Sequence, residues 1–551
     1  MGRHAVGAAP QPGRRASAPV RRRRRLWIPL VLIVACLVAA GVTWRVLSQD
    51  GADCSSRTTV TVAADPSMTT PLKAVTPSVS AASCYDYTVT AVAGAAVAGQ
   101  LGRGSTAPDL WVADSSERAA TVLGQVRLPV DPVGSLASSP AVVVGRNLST
   151  LRSWVDVMRL PGLRIGSPIT TSTGNAPIAG AVAAVEKGTL TSKQLTDAMT
   201  VLAIQQGNIR AEDDSEENRL ALADSAGSPT VTSEQQFVDY RRAHPGTALT
   251  AAVPTDGTVF LDHPMLVTAG VGERDTARDG GRRLAAAMSS PEGLAALRDA
   301  GFRPSSAEPL PGAGVGRVPA VVVTDTAARE KTLRQWAVVA EPIRTLVALD
   351  VSGSMSESVG DTTRADLLVQ AALAGNKLFP NNTEIGLWFF STDKGGPGQD
   401  WTEIAPIERE DARRPDGRTQ REYLDSRAED YEQYIGGGTG LYDTTLAAYR
   451  KVLDSYDPSY SNSIIVLTDG RNDDPDSISL DELTRRIRQL ADPARPVEIV
   501  TIGISDDVDT QALKQISALS PGGTSYVARE PGDIANVLVN AVAARVTAAG
   551  R

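Results

Sequence analysis

The sequence predicts an α/β protein with one apolar N-terminal helix, and three observations predict it. An apolar run broken only by Pro29 and Arg45 occupies residues 26–47. Strand-like and helix-like stretches then alternate from Thr58 onward, and a second such series begins at Arg344. In that second series the run Thr345-Leu-Val-Ala-Leu349 is apolar throughout, as a strand buried on both faces of a parallel sheet is. Alternation at this spacing predicts a doubly wound, mainly parallel sheet covered by helices on both faces.

At 551 residues the chain is too long for one ordinary domain, and 42% hydrophobic against 21% charged residues reads as globular. The formal net charge of −8 hides an asymmetry. Arg3, Arg14, Arg15 and Arg21 to Arg25 all precede the first acidic residue, so the rest of the chain is strongly acidic, which argues against a nucleic-acid partner. The run 26–47 has the ~20 residues that a bilayer-spanning helix needs. Arginines on its amino side place the N-terminus in the cytoplasm, with Trp27 and Trp44 near the two interfaces. The expected order is therefore a basic cytoplasmic tail (1–25), a transmembrane helix (26–47), a linker (48–57) and folded domains outside. A cleaved signal peptide is one alternative. A lipoprotein box at Ile33-Val34-Ala35-Cys36 is another, opposed by the apolar stretch continuing to Val42. Outside the cell thiols are oxidised, so Cys54 and Cys84 are expected to form a disulfide tying the membrane exit to the first domain. Two cysteines with no nearby histidine are too few for a metal site.

The first α/β series opens with strands at Thr58–Ala64, Tyr85–Ala93 and Pro108–Ala113. It continues through the strand Ala141–Gly145, the helical stretch Ala176–Glu186 and the segment Ala251–Thr268. A helical tract from Arg274 to Ala300 closes it, stopped by Gly301-Phe302-Arg303-Pro304. The runs Ala107-Pro-Asp-Leu-Trp-Val-Ala-Asp-Ser-Ser116, Ser138-Ser-Pro-Ala-Val-Val-Val144, Pro254-Thr-Asp-Gly-Thr258 with Asp262-His-Pro264, and Ser290-Pro-Glu-Gly-Leu294 to Arg303 carry a resemblance. Over residues 58–308 the chain resembles the extracellular solute-binding proteins of the type 2 periplasmic class. The resemblance implies two α/β lobes closing on a small-molecule solute, gripped by strand-end loops and helix N-termini. It makes Ser67, Ser138, Ser139 and Thr173 candidate ligand-binding residues, although each also fits an ordinary turn or N-cap.

Residues 305–323, rich in Pro, Gly and Val, read as a connector, and Thr324–Ala340 as a helix, so that 309–342 separates the two modules. The second series then offers strands at Thr345–Asp350, Glu384–Ser391, Ser463–Asp469 and Val497–Ser505. Its helices are expected at Ala365–Phe379, Leu441–Leu453, Leu480–Leu490, Thr510–Leu519 and Ile534–Ala544. The charge-dense stretch Thr419–Tyr434 reads as an exposed helix face.

Binding crevices of such sheets lie at the carboxyl ends of the strands, and the polar motifs fall there. Asp350 ends one strand, and Ser352 and Ser354, each one residue further apart, are placed to aim hydroxyls at the same point around Gly353. Thr439 lies in the loop Gly436-Gly-Gly-Thr-Gly440, and Asp469 ends another buried strand. Carboxylate and hydroxyl oxygens suit Mg²⁺ foremost, with Mn²⁺ and Ca²⁺ as alternatives, and not zinc. In this order and on these elements, Asp350-x-Ser352-x-Ser354, Thr439 and Asp469 resemble the metal-ion-dependent adhesion site (MIDAS) of von Willebrand factor A (VWA) domains, over residues 343–547. The resemblance implies direct coordination by the two serines and the threonine, with the aspartates acting directly or through water. Asp473, Asp474 and Asp476, and Asp506, Asp507 and Asp509, lack the spacing of a calcium loop and read as solvated loops and caps.

His4, His244 and His263 accompany no Gly-x-Ser-x-Gly, Walker or zincin motif, so no enzyme is expected. The expectation is a single-pass bacterial membrane protein, with both folded domains extracellular. Its VWA domain binds a divalent cation and, through it, an acidic group on a protein or cell-wall partner. The alternative is a solute receptor or sensor whose VWA domain docks a transporter or signalling partner.

Overall fold

The computed structural model describes residues 54–528 apart from 95, 211–214, 305–307 and 505–507. The expected membrane helix at 26–47 and the expected helix Ile534–Ala544 lie outside the described residues. Among the described residues no helix is long and apolar enough to cross a membrane.

Residues 54–59 with 77–86 are the described part of one compact unit. The Cys54–Cys84 disulfide closes it, with the two Cα atoms 5.4 Å apart. Arg57 Nε donates to Asp86 Oδ1 at 2.9 Å, and Thr58 N donates to Cys84 O at 2.9 Å.

The first α/β series builds two sheets. One runs in the order Tyr85–Ala91, Thr58–Ala64, Leu110–Val112, Pro264–Val267, Pro132–Ser135. The other centres on Ser139–Gly145, every residue of which is buried, flanked by Thr230–Ser233 and Thr250–Ala252 with Phe260–Leu261 alongside. The chain passes between the sheets at residues 136–138 and 262–263, which makes two lobes. Helix Ser172–Glu186, N-capped by Thr171, is buried along most of its length. Gly180 lets it lie against Trp154, because a Cβ there would sit 2.0 Å from Trp154 Cδ1.

Three expectations change. The tract Arg274–Ala300 is two helices, Arg274–Met288 and Pro291–Asp299. Ser290 caps the second by accepting from Gly293 N, and Pro291, lacking an N–H, suits the first position of a new helix and not the middle of an old one. Residues 309–342 are more than a connector, because Val321, Val323 and Trp336 are buried in the core of the second lobe. Glu186 accepts from the backbone N–H groups of Thr324 and Asp325, at 3.0 and 2.9 Å, and so seats the helix Thr326–Ala340. Arg303, for which no partner was expected, is fully buried and pairs with Glu234 through two hydrogen bonds of 2.5 and 2.7 Å.

The second series forms a six-stranded sheet in the order Trp401–Arg409, Glu384–Phe390, Ile343–Asp350, Ser461–Thr468, Val497–Ile504, Thr524–Ala528. All neighbours are parallel except the edge strand Trp401–Arg409, which runs antiparallel and which the sequence reading did not anticipate. Leu349, Leu387, Leu467 and Ile502 pack on one face, and Leu346, Trp388, Val466 and Ile499 on the other. The chain turns first to one side of Ile343–Asp350 and then to the other, so a switch point opens at the carboxyl end of that strand. At the amino end of Glu384–Phe390, Asn382 N donates to Gly207 O at 3.1 Å and Asn381 N to Asn208 Oδ1 at 2.9 Å, joining this domain to the end of helix Ser192–Gly207.

Candidate metal centre

Asp350 arrives at the switch point fully buried, carried by a strand buried over seven of its eight residues. Its Oδ1 accepts from Ser352 N at 2.8 Å, which folds the chain back on itself, and its Oδ2 accepts from Thr468 Oγ1 at 2.5 Å. Ser352 Oγ lies 3.0 Å from Ser354 Oγ, and Ser354 Oγ donates to Asp469 Oδ1 at 2.9 Å. Four of the five expected metal residues are thus joined through one connected set of hydrogen bonds.

Thr439 enters from the glycine loop. Gly353 N donates to Gly437 O at 3.0 Å and Gly436 N to Val351 O at 2.8 Å, so the loop is stitched to the turn after Asp350. Gly437 has φ +87°, and at Gly438 a Cβ would lie 2.1 Å from Asp473 O. Both positions need glycine. Thr439 pairs with Asp473 through two backbone hydrogen bonds, and its hydroxyl faces the turn after Asp469, 3.8 Å from where a Cβ on Gly470 would sit. The structure therefore brings together all five residues, with Thr439 4% exposed and Asp350 and Asp469 fully buried.

Burial pushes the Asp350 carboxyl up to about 7, and the neighbouring Asp469 charge adds to the push, while the hydrogen bonds from Thr468 and Ser352 oppose it. The buried Asp350 and Asp469 carboxyl groups, with the hydroxyls of Ser352, Ser354 and Thr439 around them, form an oxygen-lined site. That donor set fits a hard divalent cation.

Four neighbours were not legible in the motif. Thr468 holds Asp350; Tyr431, fully buried, donates its hydroxyl to the Asp350 backbone carbonyl; Arg364 donates to Asp469; and Glu357 pairs with Arg364. Tyr431 belongs to the stretch expected to be an exposed face, and the helix there, Gln420–Glu429, in fact buries Gln420, Leu424 and Ala428. The spacing of those three residues at four was the available signal. Beside the glycine loop, carboxylate oxygens of Asp400, Asp443 and Asp474 lie within 4.8 Å of one another. Asp474 is thus part of an acidic group that its sequence context alone did not suggest. Asp509 caps the helix Thr510–Ser517, as expected. Asp506 and Asp507 lie outside the described residues.

Among the solute-site candidates, Ser67 donates its backbone N–H and its hydroxyl to Asp65. Thr173 Oγ1 donates to Glu216 Oε1 at 3.0 Å. Ser138 pairs by its backbone with Arg303 at the lobe crossing. Ser139 is fully buried and its hydroxyl accepts from Gln235 N at 3.0 Å. The lobes meet beside Thr173: Ser172 N donates to Asp114 Oδ2 at 2.8 Å and the Ser115 and Ser172 hydroxyls lie 2.7 Å apart. Burial, and then the Asp65 charge, pushes the Asp114 carboxyl up to about 6.

Comparison with known proteins agrees with this division. A family model described as bacterial extracellular solute-binding protein matches residues 60–303, and one described as von Willebrand factor type A domain matches residues 346–538. Two proteins described as uncharacterised, from Mycobacterium tuberculosis strains CDC 1551 and H37Rv, are each 25% identical over 561 residues, covering 92% of this chain and 81% of theirs. Among solved structures, the sulfate-binding protein SubI from M. tuberculosis H37Rv is 19% identical with a TM-score of 0.37, covering 52% of this chain and 93% of that one. A von Willebrand factor type A protein from Catenulispora acidiphila is 19% identical with a TM-score of 0.29, covering 38% of this chain and 43% of that one. Proximal thread matrix protein 1 from the mussel byssus, solved with a zinc-occupied MIDAS motif, is 14% identical with a TM-score of 0.28, covering 37% and 48%. This chain carries a bacterial extracellular solute-binding domain followed by a von Willebrand factor type A domain.

Proposed function

We propose that the protein is a membrane-anchored extracellular binding protein whose VWA domain holds a divalent cation and, through it, an acidic group on a protein or cell-wall partner. The observation that carries this reading is the convergence of Asp350, Ser352, Ser354, Thr439 and Asp469 at one end of the sheet, with both aspartates fully buried. Residues 381 and 382, where the domain bonds to the solute-binding module, precede the strand Glu384–Phe390 and so lie at the other end of the sheet. Hydroxyls and two carboxyl groups suit Mg²⁺ or Mn²⁺ with a position left for a ligand oxygen. The role is binding and not catalysis, since a metal hydrolase brings more carboxylates or histidines to its ions. Residues 26–47 supply the anchor, with residues 1–25 in the cytoplasm. Binding of the full chain to isolated bacterial envelope fractions tests the reading. Retention in Mg²⁺ that is lost with chelator and lost in Asp350→Ala supports it, and equal retention in all three ends it.

A second reading, a solute receptor, is favoured by the charged groups that face one another across the two lobes, Asp65 and Asp114 from one and Glu216 from the other. A thermal-shift screen of the full chain against cationic and anionic solutes separates the two readings. A ligand that stabilises the wild type and not Asp114→Asn favours the receptor.

A further inference from the structure

Both oxygens of Asp469 are already engaged by the protein. Oδ1 accepts from Ser354 Oγ, and Oδ2 accepts from Arg364 Nη1 at 2.9 Å. Arg364 is the first residue of the helix Arg364–Asn376, and a capping box between Thr363 and Asp366 fixes that start. Its backbone N–H donates to Glu357 O at 3.1 Å, so the side chain is delivered to the rim from a braced turn. The Arg364 side chain is only 7% exposed, and its second carboxylate partner, Glu357 at 3.1 Å, is 63% exposed and so largely neutralised by solvent.

A buried guanidinium inside a cation site is costly in that place unless it does something for the site. It cancels the charge of one of two buried aspartates. Among the buried groups, Asp350, Asp469 and Arg364, a divalent cation then leaves a net positive charge, which the solvent-screened Glu357 offsets weakly and an anion from outside removes. The same hydrogen bond engages Oδ2 of Asp469 and leaves Oδ1, on the Ser354 hydroxyl, as the oxygen that faces the other site residues.

We propose that Arg364 is a positioning residue that holds Asp469 back from the cation and so couples cation binding to an external carboxylate. This rests on the metal reading given above and adds to it a reason for partner-dependent binding. Arg364 keeps the site weak when alone and strong when the acidic group arrives.

The test is a calorimetric titration of the full chain with Mn²⁺ alone and with excess sodium acetate, at equal ionic strength made up with sodium chloride. For the wild type, acetate tightens Mn²⁺ binding by about tenfold, within the ordinary range of coupling between sites. Arg364→Gln binds Mn²⁺ alone about tenfold more tightly than wild type, and acetate changes that affinity by less than about twofold. Arg364→Lys keeps the charge without the fork and gives intermediate values; if Arg364→Gln does not fold by circular dichroism, a shift of Arg364→Lys in the same direction carries the proposal. An Arg364→Gln protein that folds and binds Mn²⁺ no more tightly than wild type, or that keeps the full acetate effect, overturns it. A wild type that binds no Mn²⁺ overturns the metal reading and this proposal together, whereas wild-type binding unaltered by either variant overturns this proposal alone.

Discussion

Thr468 and Asp350 come from adjacent parallel strands, and the Thr468 hydroxyl donates to Asp350 Oδ2 at 2.5 Å. The bond fixes one oxygen of a fully buried carboxyl group and leaves its orientation to the metal site determined by the sheet itself. Replacing Thr468 with valine keeps the shape and removes the donor. The expected cost is about 1–3 kcal/mol of stability, with a weaker metal affinity, read by urea unfolding and by metal titration.

The Asp350 carboxyl, pushed up to about 7 by burial and by Asp469, makes the metal-free protein sensitive to pH. In the unfolded chain the same group ionises near 4. Between those values the folded state holds a proton that the unfolded state releases, so stability from this group is present at low pH and is lost as pH rises from about 4 through about 7. The full loss is at most roughly 4 kcal/mol. Unfolding in chelator at a series of pH values checks the direction, and Asp350→Asn should lack this component. With Mg²⁺ present the proton and the cation compete, so metal affinity should rise with pH and level off above about 7.

Arg303 and Glu234 form an ion pair whose side chains are 1% and 0% exposed, and Val315 N also donates to Glu234 at 2.8 Å. Arg303→Met leaves the Glu234 charge buried without its partner. A loss of about 3–5 kcal/mol is expected, seen as a lowered unfolding midpoint of the solute-binding domain, with little effect on metal binding at Asp350.

The Cys54–Cys84 bond closes a loop with a sequence separation of 30. Alkylation of the unreduced, denatured chain should label one of its three cysteines, Cys36, and all three after reduction. Cys54→Ser should cost about 2–4 kcal/mol, measured as protection of the Thr58–Ala64 strand against hydrogen exchange.

Four strands of the parallel sheet were legible because buried strands announce themselves as continuous apolar runs, with Asp350 and Asp469 at the ends of two, whereas Thr524–Ala528, half-buried over most of its length, was not. Thr58–Ala64 and Leu480–Leu490 fall where periodicity put them. Trp401–Arg409 was hidden because an edge strand carries Pro406 and three charged residues, and reads as a loop. Arg364 follows the first motif run and Tyr431 precedes the glycine loop, but they reach Asp469 and the Asp350 carbonyl through tertiary packing, so no local pattern marks their roles. Residues 309–342 looked like a connector by their prolines and glycines, while their placement depends on buried side chains, Val321 and Trp336, that composition does not reveal.

The most direct measurement of the central claim is calorimetric titration of the full chain with Mg²⁺ and Mn²⁺ beside Asp350→Ala. One saturable site is expected in the wild type and none in the variant. Heat from the wild type that cannot be told apart from the variant's, with both chains folded, would contradict it.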